Sequence, residues 1–160
     1  MPADFAGIVG VLVDGGVEII VIGGLAAQAH GSARLTQDAD FLYRRTPENI
    51  DRLAAALAPH RPYLRGAPPG LPFHFDAATI RRGLNFTLTT ALGDVHFLGE
   101  MVGGGSYDQV RPEALTLSVF GRDVLVLGLP ALVRAKRAAG RPKDLEAVAE
   151  LEALLAEREG

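Results

Sequence analysis

The stretch that most constrains this chain is Val17 to Ile22, a β-branched run that stops at Gly23-Gly24 and resumes as the alanine-rich Leu25 to His30. Val and Ile crowd a helix but suit a pleated, buried surface, so the run predicts a strand. Alanine and leucine favour helix, and Gly31-Ser32 ends it. The unit is strand, glycine turn, helix. Glycines at such a junction let phosphate oxygens approach backbone N–H groups that have no partner inside the helix, and the helix dipole favours the same anion. A tight turn without a ligand is written in the same letters, and that alternative stays open.

Around this unit the pattern is legible as alternating elements. Phe5 to Val13 has apolar residues at helical spacing and is closed by Asp14-Gly15-Gly16. A strand is predicted over residues 38–43 and a helix over 47–57, opened by Pro47 at a first helical position. Residues 59–72, rich in proline and glycine, predict a loop. Strands over 84–90 and 95–98 flank Gly93-Asp94 and predict a hairpin. Gly103-Gly104-Gly105 predicts a mobile connection, followed by a second hairpin from 115–120 and 124–127. Two helices then start at Pro130 and Pro142, the last one amphipathic. The expected fold class is α/β (α+β), a mixed twisted β-sheet with helices packed on it. One domain over residues 1–160 is expected, its C-terminal helices running from about 130 to 157.

Composition narrows the function classes. A chain of 160 residues, 48% hydrophobic, has material for one sizeable core. Without cysteine there is no disulfide framework and no thiolate metal site, so any metal must be held by oxygen or imidazole. A net charge of −3 argues against a surface that grips long nucleic acid through many phosphates. Basic residues nevertheless crowd one stretch, Arg134, Lys136, Arg137, Arg141 and Lys143, which suits a small anionic ligand. Neither a membrane span nor a signal peptide is readable, and the expected location is cytoplasmic.

Asp38-Ala39-Asp40-Phe41 is where chemistry is expected. Side chains alternate across a strand, so residues 38 and 40 share one face while 39 and 41 bury on the other. Their Cα atoms lie about 6.5–7 Å apart in a strand, a separation at which both carboxylates can reach one divalent cation. A solvent-facing strand end is the plain alternative.

Taken together, Ile22-Gly23-Gly24 and Asp38-Ala39-Asp40-Phe41 resemble the signature of the nucleotidyltransferase superfamily. Gly31-Ser32-Ala33-Arg34-Leu35-Thr36 is similar to the wording of small bacterial members, including those related to AbiEii-type toxins of toxin–antitoxin systems. The segment from Lys136 to Leu145 looks like their carboxyl-terminal helix motif. The resemblance implies transfer of a nucleoside monophosphate from a nucleoside triphosphate to an acceptor hydroxyl, on an RNA end such as tRNA, a small molecule or a protein. It also implies Mg²⁺ or Mn²⁺ held by three carboxylates, with Asp38 and Asp40 in the first two places. A partner chain is a further implication, since a chain this short has little room for an acceptor-recognition domain.

His96, in Gly93-Asp94-Val95-His96-Phe97-Leu98, stands where the family carries its third carboxylate. Three readings compete: a general base for the acceptor hydroxyl, a ligand for Mn²⁺ or a softer cation, or the mark of a catalytically silent binding or regulatory module. Asp94 would serve in its stead only through a shift of register. Gly23, Gly24, Ser32 and Arg34 are the candidate phosphate contacts, and Lys136, Arg141, Lys143 and Asp144 the candidate groups around the triphosphate. Ordinary solvated arginine and helix-end electrostatics are the competing accounts of the charged ones. His30, His60 and His74 show no ligand spacing and are assigned no role.

Overall fold

The computed structural model describes residues 3–159. In chain order these form α1 (Phe5–Asp14), β1 (Ile19–Ile22), α2 (Gly23–Ala29), β2 (Ala39–Tyr43), α3 (Pro47–Leu57) and β3 (Tyr63–Leu64). Next come α4 (Ala77–Arg82), β4 (Phe86–Thr90), β5 (Gly93–Leu98), β6 (Glu100–Met101), β7 (Gly105–Ser106) and α5 (Tyr107–Val110). The chain ends with β8 (Ala114–Val119), β9 (Arg122–Leu127), α6 (Leu129–Ala139) and α7 (Pro142–Glu159).

Seven strands make one mixed sheet in the order β3-β4-β5-β2-β1-β9-β8, so the α/β expectation holds. At its centre β1 runs antiparallel to β2, while β2 is parallel to β5 and β1 parallel to β9. All four residues of β1 are buried, which requires cover on both faces. That cover comes in two groups: α1 touches α3 and α3 touches α4, whereas α2 packs on α6, which pairs with α7. One apolar cluster, with Ile20, Val21, Phe41, Leu42, Phe97 and Val126 wholly buried, joins both. Among the described residues no helix is long and apolar enough to cross a membrane.

Local chemistry sets the element ends. Asp4 caps α1 by accepting from Gly7 N–H at 3.0 Å, and Thr46 caps α3 by accepting from Asn49 N–H at 3.2 Å. Both expected hairpins form, with Thr90 opposite Gly93 and Val119 opposite Arg122. Five short elements, β3, α4, β6, β7 and α5, were not expected. The stretch 59–72 contains β3, which pairs with β4 through Tyr63 and Leu64 alone. Helix α4 is capped by Asp76, whose carboxylate accepts from Thr79 N–H. Gly103 to Gly105 lies within a tight β6–β7 hairpin closed by Gly104 N–H to Met101 C=O, and a capping box at Ser106 and Gln109 then starts α5.

Candidate active site

The two acids lie at the sheet's centre because the strand register puts them there. Asp38 immediately precedes β2 and Asp40 is the strand's second residue, opposite Ile22 of β1 on one side and His96 of β5 on the other. Ile22 is followed at once by the diglycine bend, which therefore abuts Asp40. Gly23 has φ +64, a conformation other residues rarely hold. A Cβ on it would intrude on Asp40 Oδ2 and lie 3.2 Å from Asp40 Cβ. On Gly24 a Cβ would lie 2.6 Å from Thr36 Cβ, and the Thr36 hydroxyl donates to Asp38 C=O at 3.1 Å. Both glycines are needed so that bend, loop and acids can sit in contact. Ile22 supplies no side-chain cap to α2, leaving the helix's first N–H groups without a capping oxygen.

Asp38 is held by two donors on one oxygen. Arg65 Nη1 donates to Oδ2 at 3.0 Å, and His96 Nε2 lies 3.0 Å from the same atom. Partial burial raises the Asp38 carboxyl's proton affinity, but these hydrogen bonds from Arg65 and His96 outweigh it and hold the group below the usual carboxylate range. Its other oxygen, Oδ1, is buried and has no hydrogen-bond partner among the described residues. A buried, charged, unpartnered oxygen is costly unless a cation meets it.

Asp40 behaves oppositely. Burial pushes its carboxyl up, the negative charge of Asp38 adds to this, and the fields of His96, Lys136 and Lys143 oppose it. Two neighbouring acids with divergent proton affinities result. The basic groups come from the α6–α7 corner, where Gly140, at φ +68, turns the chain. Asp144 organises that corner: 1% exposed, it accepts from Arg141 Nε at 2.5 Å, Arg141 Nη2 at 3.1 Å and Lys136 Nζ at 3.4 Å. The Arg141 fork holds the Asp144 carboxyl low despite its burial.

His96 meets protein groups at both ring nitrogens. Nε2 meets Asp38 while Nδ1 lies 3.2 Å from the Thr87 hydroxyl, so both ring nitrogens are engaged. Among the described residues no three His, Asp or Glu side chains converge closely enough to hold a metal ion. Asp94 is tied to Asp38 through Arg65, whose Nε reaches Asp94 Oδ2 at 3.4 Å.

Ser32 and Arg34 have their side chains engaged by the last helix. Ser32 donates to Glu150 of α7 at 2.5 Å, Ala33 N–H reaches the other oxygen of Glu150 at 3.2 Å, and Arg34 pairs with Glu146 at 3.9 Å. Their side chains tie the loop before β2 to the last helix. His30 is a core residue, bonded to Leu127 C=O at 2.8 Å and to Arg158 at 2.6 Å. His60 and His74 lie outside the cluster around Asp38.

Arg65 and Thr87 were not singled out from the sequence. Thr87 carried a signal, because pairing Thr90 with Gly93 across the turn sets residue 87 opposite 96. Arg65 carried none, since it follows a two-residue strand inside a proline-rich stretch and its partner Asp38 is 27 residues distant.

No family model and no curated protein matches this sequence. Solved structures do. The antibiotic-resistance factor ANT(2'')-Ia superposes with a TM-score of 0.60 at 12% identity, covering 98% of this chain and 83% of its own. TM1012 of Thermotoga maritima, a candidate nucleotidyltransferase, gives a TM-score of 0.51 at 17% identity, with 88% and 83% covered. At such identities the likeness speaks for architecture, and the architecture of this chain is the nucleotidyltransferase fold.

Proposed function

We propose that the chain transfers a nucleoside monophosphate from a nucleoside triphosphate to an acceptor hydroxyl with Mg²⁺ or Mn²⁺. The observation that carries this is the buried, unpartnered Asp38 Oδ1 beside Asp40, whose own carboxyl is pushed toward protonation by burial and by Asp38. That pair needs a cation, and the donor set, two carboxylates at the mouth of a diglycine bend, fits a hard divalent ion. Asp38 and Asp40 would hold it; when bound it would act as a Lewis acid on phosphoryl oxygen.

The chain's own residues supply the rest. Gly23 and Gly24 leave room for phosphate oxygens at uncapped N–H groups; α2 has only seven residues, so these groups matter more than its macrodipole. Lys136, Arg141 and Lys143 neutralise the triphosphate, their positions set by Asp144 and the α6–α7 turn. His96 acts as a positioning residue that orients Asp38 through Nε2, with Thr87 fixing the ring from behind. In the transfer, the acceptor oxygen bonds to the α-phosphorus, the α–β bridging P–O bond breaks, and pyrophosphate and the hydroxyl proton leave.

A small hydroxyl compound is one acceptor class, suggested by the antibiotic-resistance factor of like fold; an RNA end or a protein, as in a toxin–antitoxin pair, is another. The competing reading, a silent binding module, rests on His96 standing where the resemblance implies a third carboxylate. Labelled triphosphates incubated with Mg²⁺ or Mn²⁺ and total RNA or hydroxyl-bearing antibiotics decide between them. Asp38→Ala is expected to abolish any transfer. No transfer, together with no calorimetric nucleotide binding, removes the enzyme reading.

A further inference from the structure

We infer that Arg65 is a displaceable counter-ion which guards Asp38 until a metal–triphosphate complex arrives, so that metal and nucleotide bind as a coupled pair. The inference rests on the metal-dependent reading above and adds a gate to it. Three features of Arg65 support it.

First, the guanidinium occupies the charge position. It bridges Asp38 Oδ2 at 3.0 Å and Asp94 Oδ2 at 3.4 Å, between two of the acids of the site. Second, its backbone is held by the sheet while its head reaches solvent. Tyr63 and Leu64 pair with Thr89 and Leu88, and Arg65 N–H donates to Thr87 C=O at 3.1 Å. Yet the side chain is 41% exposed and has no protein partner among the described residues except those two carboxylates. Third, the contacts close a ring: Arg65 to Thr87 through backbone, Thr87 hydroxyl to His96 Nδ1, His96 Nε2 to Asp38, and Asp38 back to Arg65. His96 therefore keeps Asp38 in place when the guanidinium leaves.

A divalent ion arriving alone at Asp38 Oδ1 meets the positive charge of Arg65 on the adjacent Oδ2 and offers the guanidinium nothing in return for withdrawing. A triphosphate arriving with the ion supplies oxygens for the same planar fork, so the guanidinium exchanges one bidentate anion for another. Free metal then binds weakly and nucleotide strengthens it, a coupling that is reciprocal by thermodynamic necessity.

The test measures Mn²⁺ affinity of the full chain from the free-ion paramagnetic resonance signal, with and without a triphosphate whose α–β link cannot be cleaved. Arg65→Met keeps the stem and removes the head. It is expected to bind Mn²⁺ alone about tenfold more tightly, the size set by two charge-assisted contacts discounted for solvent, and to show less strengthening by nucleotide. Arg65→Lys keeps the charge but cannot bridge, and is expected to fall between. Lys143→Met removes one charge that acts on Asp40 only through its field, and is expected to change Mn²⁺ affinity less than Arg65→Met does. Equal effects of Arg65→Met and Lys143→Met, or unchanged nucleotide coupling in Arg65→Met, overturn the gate while leaving the transferase reading intact. Mn²⁺ binding that is missing, or indifferent to Asp38→Asn, overturns both.

Discussion

Replacing Gly23 by alanine tests the contact on which the whole site depends. Two costs are expected, and they separate. The backbone at φ +64 disfavours any Cβ by about 1–2 kcal/mol, whatever surrounds it. The new methyl group would also displace the Asp40 carboxylate, the far end of a side chain that can turn away, so about 1 kcal/mol more is expected, the low end of overpacking costs. Gly23→Ala should therefore lose about 2–3 kcal/mol in total. In an Asp40→Ala background only the backbone part and a 3.2 Å Cβ contact remain, so the loss should fall to about 1–2 kcal/mol. Asp40→Ala by itself should stabilise the metal-free chain at neutral pH. A carboxyl whose pKa is raised on folding contributes stability that is fully present below its unfolded value of 3.8 and lost as pH rises through the folded value. Urea unfolding followed by circular dichroism measures all three, provided the slope stays constant. An equal loss from Gly23→Ala in both backgrounds, within about 0.5 kcal/mol, would refute the claim that bend and acid touch.

Two further outcomes are expected. Asp144→Asn should destabilise by about 2–3 kcal/mol, below the full cost of breaking a buried pair because Arg141 is 59% exposed; denaturant midpoints measure it. The same carboxyl, lowered chiefly by Arg141, contributes stability above its unfolded value of 3.8 that is lost as pH falls through the folded one, and titrated melts of Asp144→Asn should lack that acid loss. His30 has its pKa lowered, first by burial and also by Arg158, while Leu127 C=O opposes. Its folded state rejects a proton that the unfolded chain accepts, so stability is complete above 6.5 and declines as pH falls below it. His30→Gln should flatten that decline between neutral and mildly acid pH, and an unchanged slope would remove His30 as its source.

What the sequence made legible follows from the range over which each signal acts. The diglycine, the alternation of residues 38–41 and the turn at Gly93 act over a few residues, and the architecture they imply is present. Register then carries local signals outward: once Ile22 ends β1 beside the start of β2, the bend must meet Asp40, and once Thr90 faces Gly93, Thr87 must face His96. Arg65 lies beyond that reach, because a two-residue edge strand has no periodicity and its pairing is fixed by β4 alone. Ser32 and Arg34 were legible as polar loop residues, but their turn toward Glu150 and Glu146 depends on where α7 lies, which no local pattern encodes. Even His96 reads differently once its neighbours are known. Opposite Asp40 yet bonded to Asp38, with Asp94 two residues before it on the same strand face, it stands among three acids. The carboxylate of Asp94 is engaged by the guanidinium of Arg65. On the gate proposed above, His96→Asp adds an acid to this cluster and should hold Arg65 more tightly.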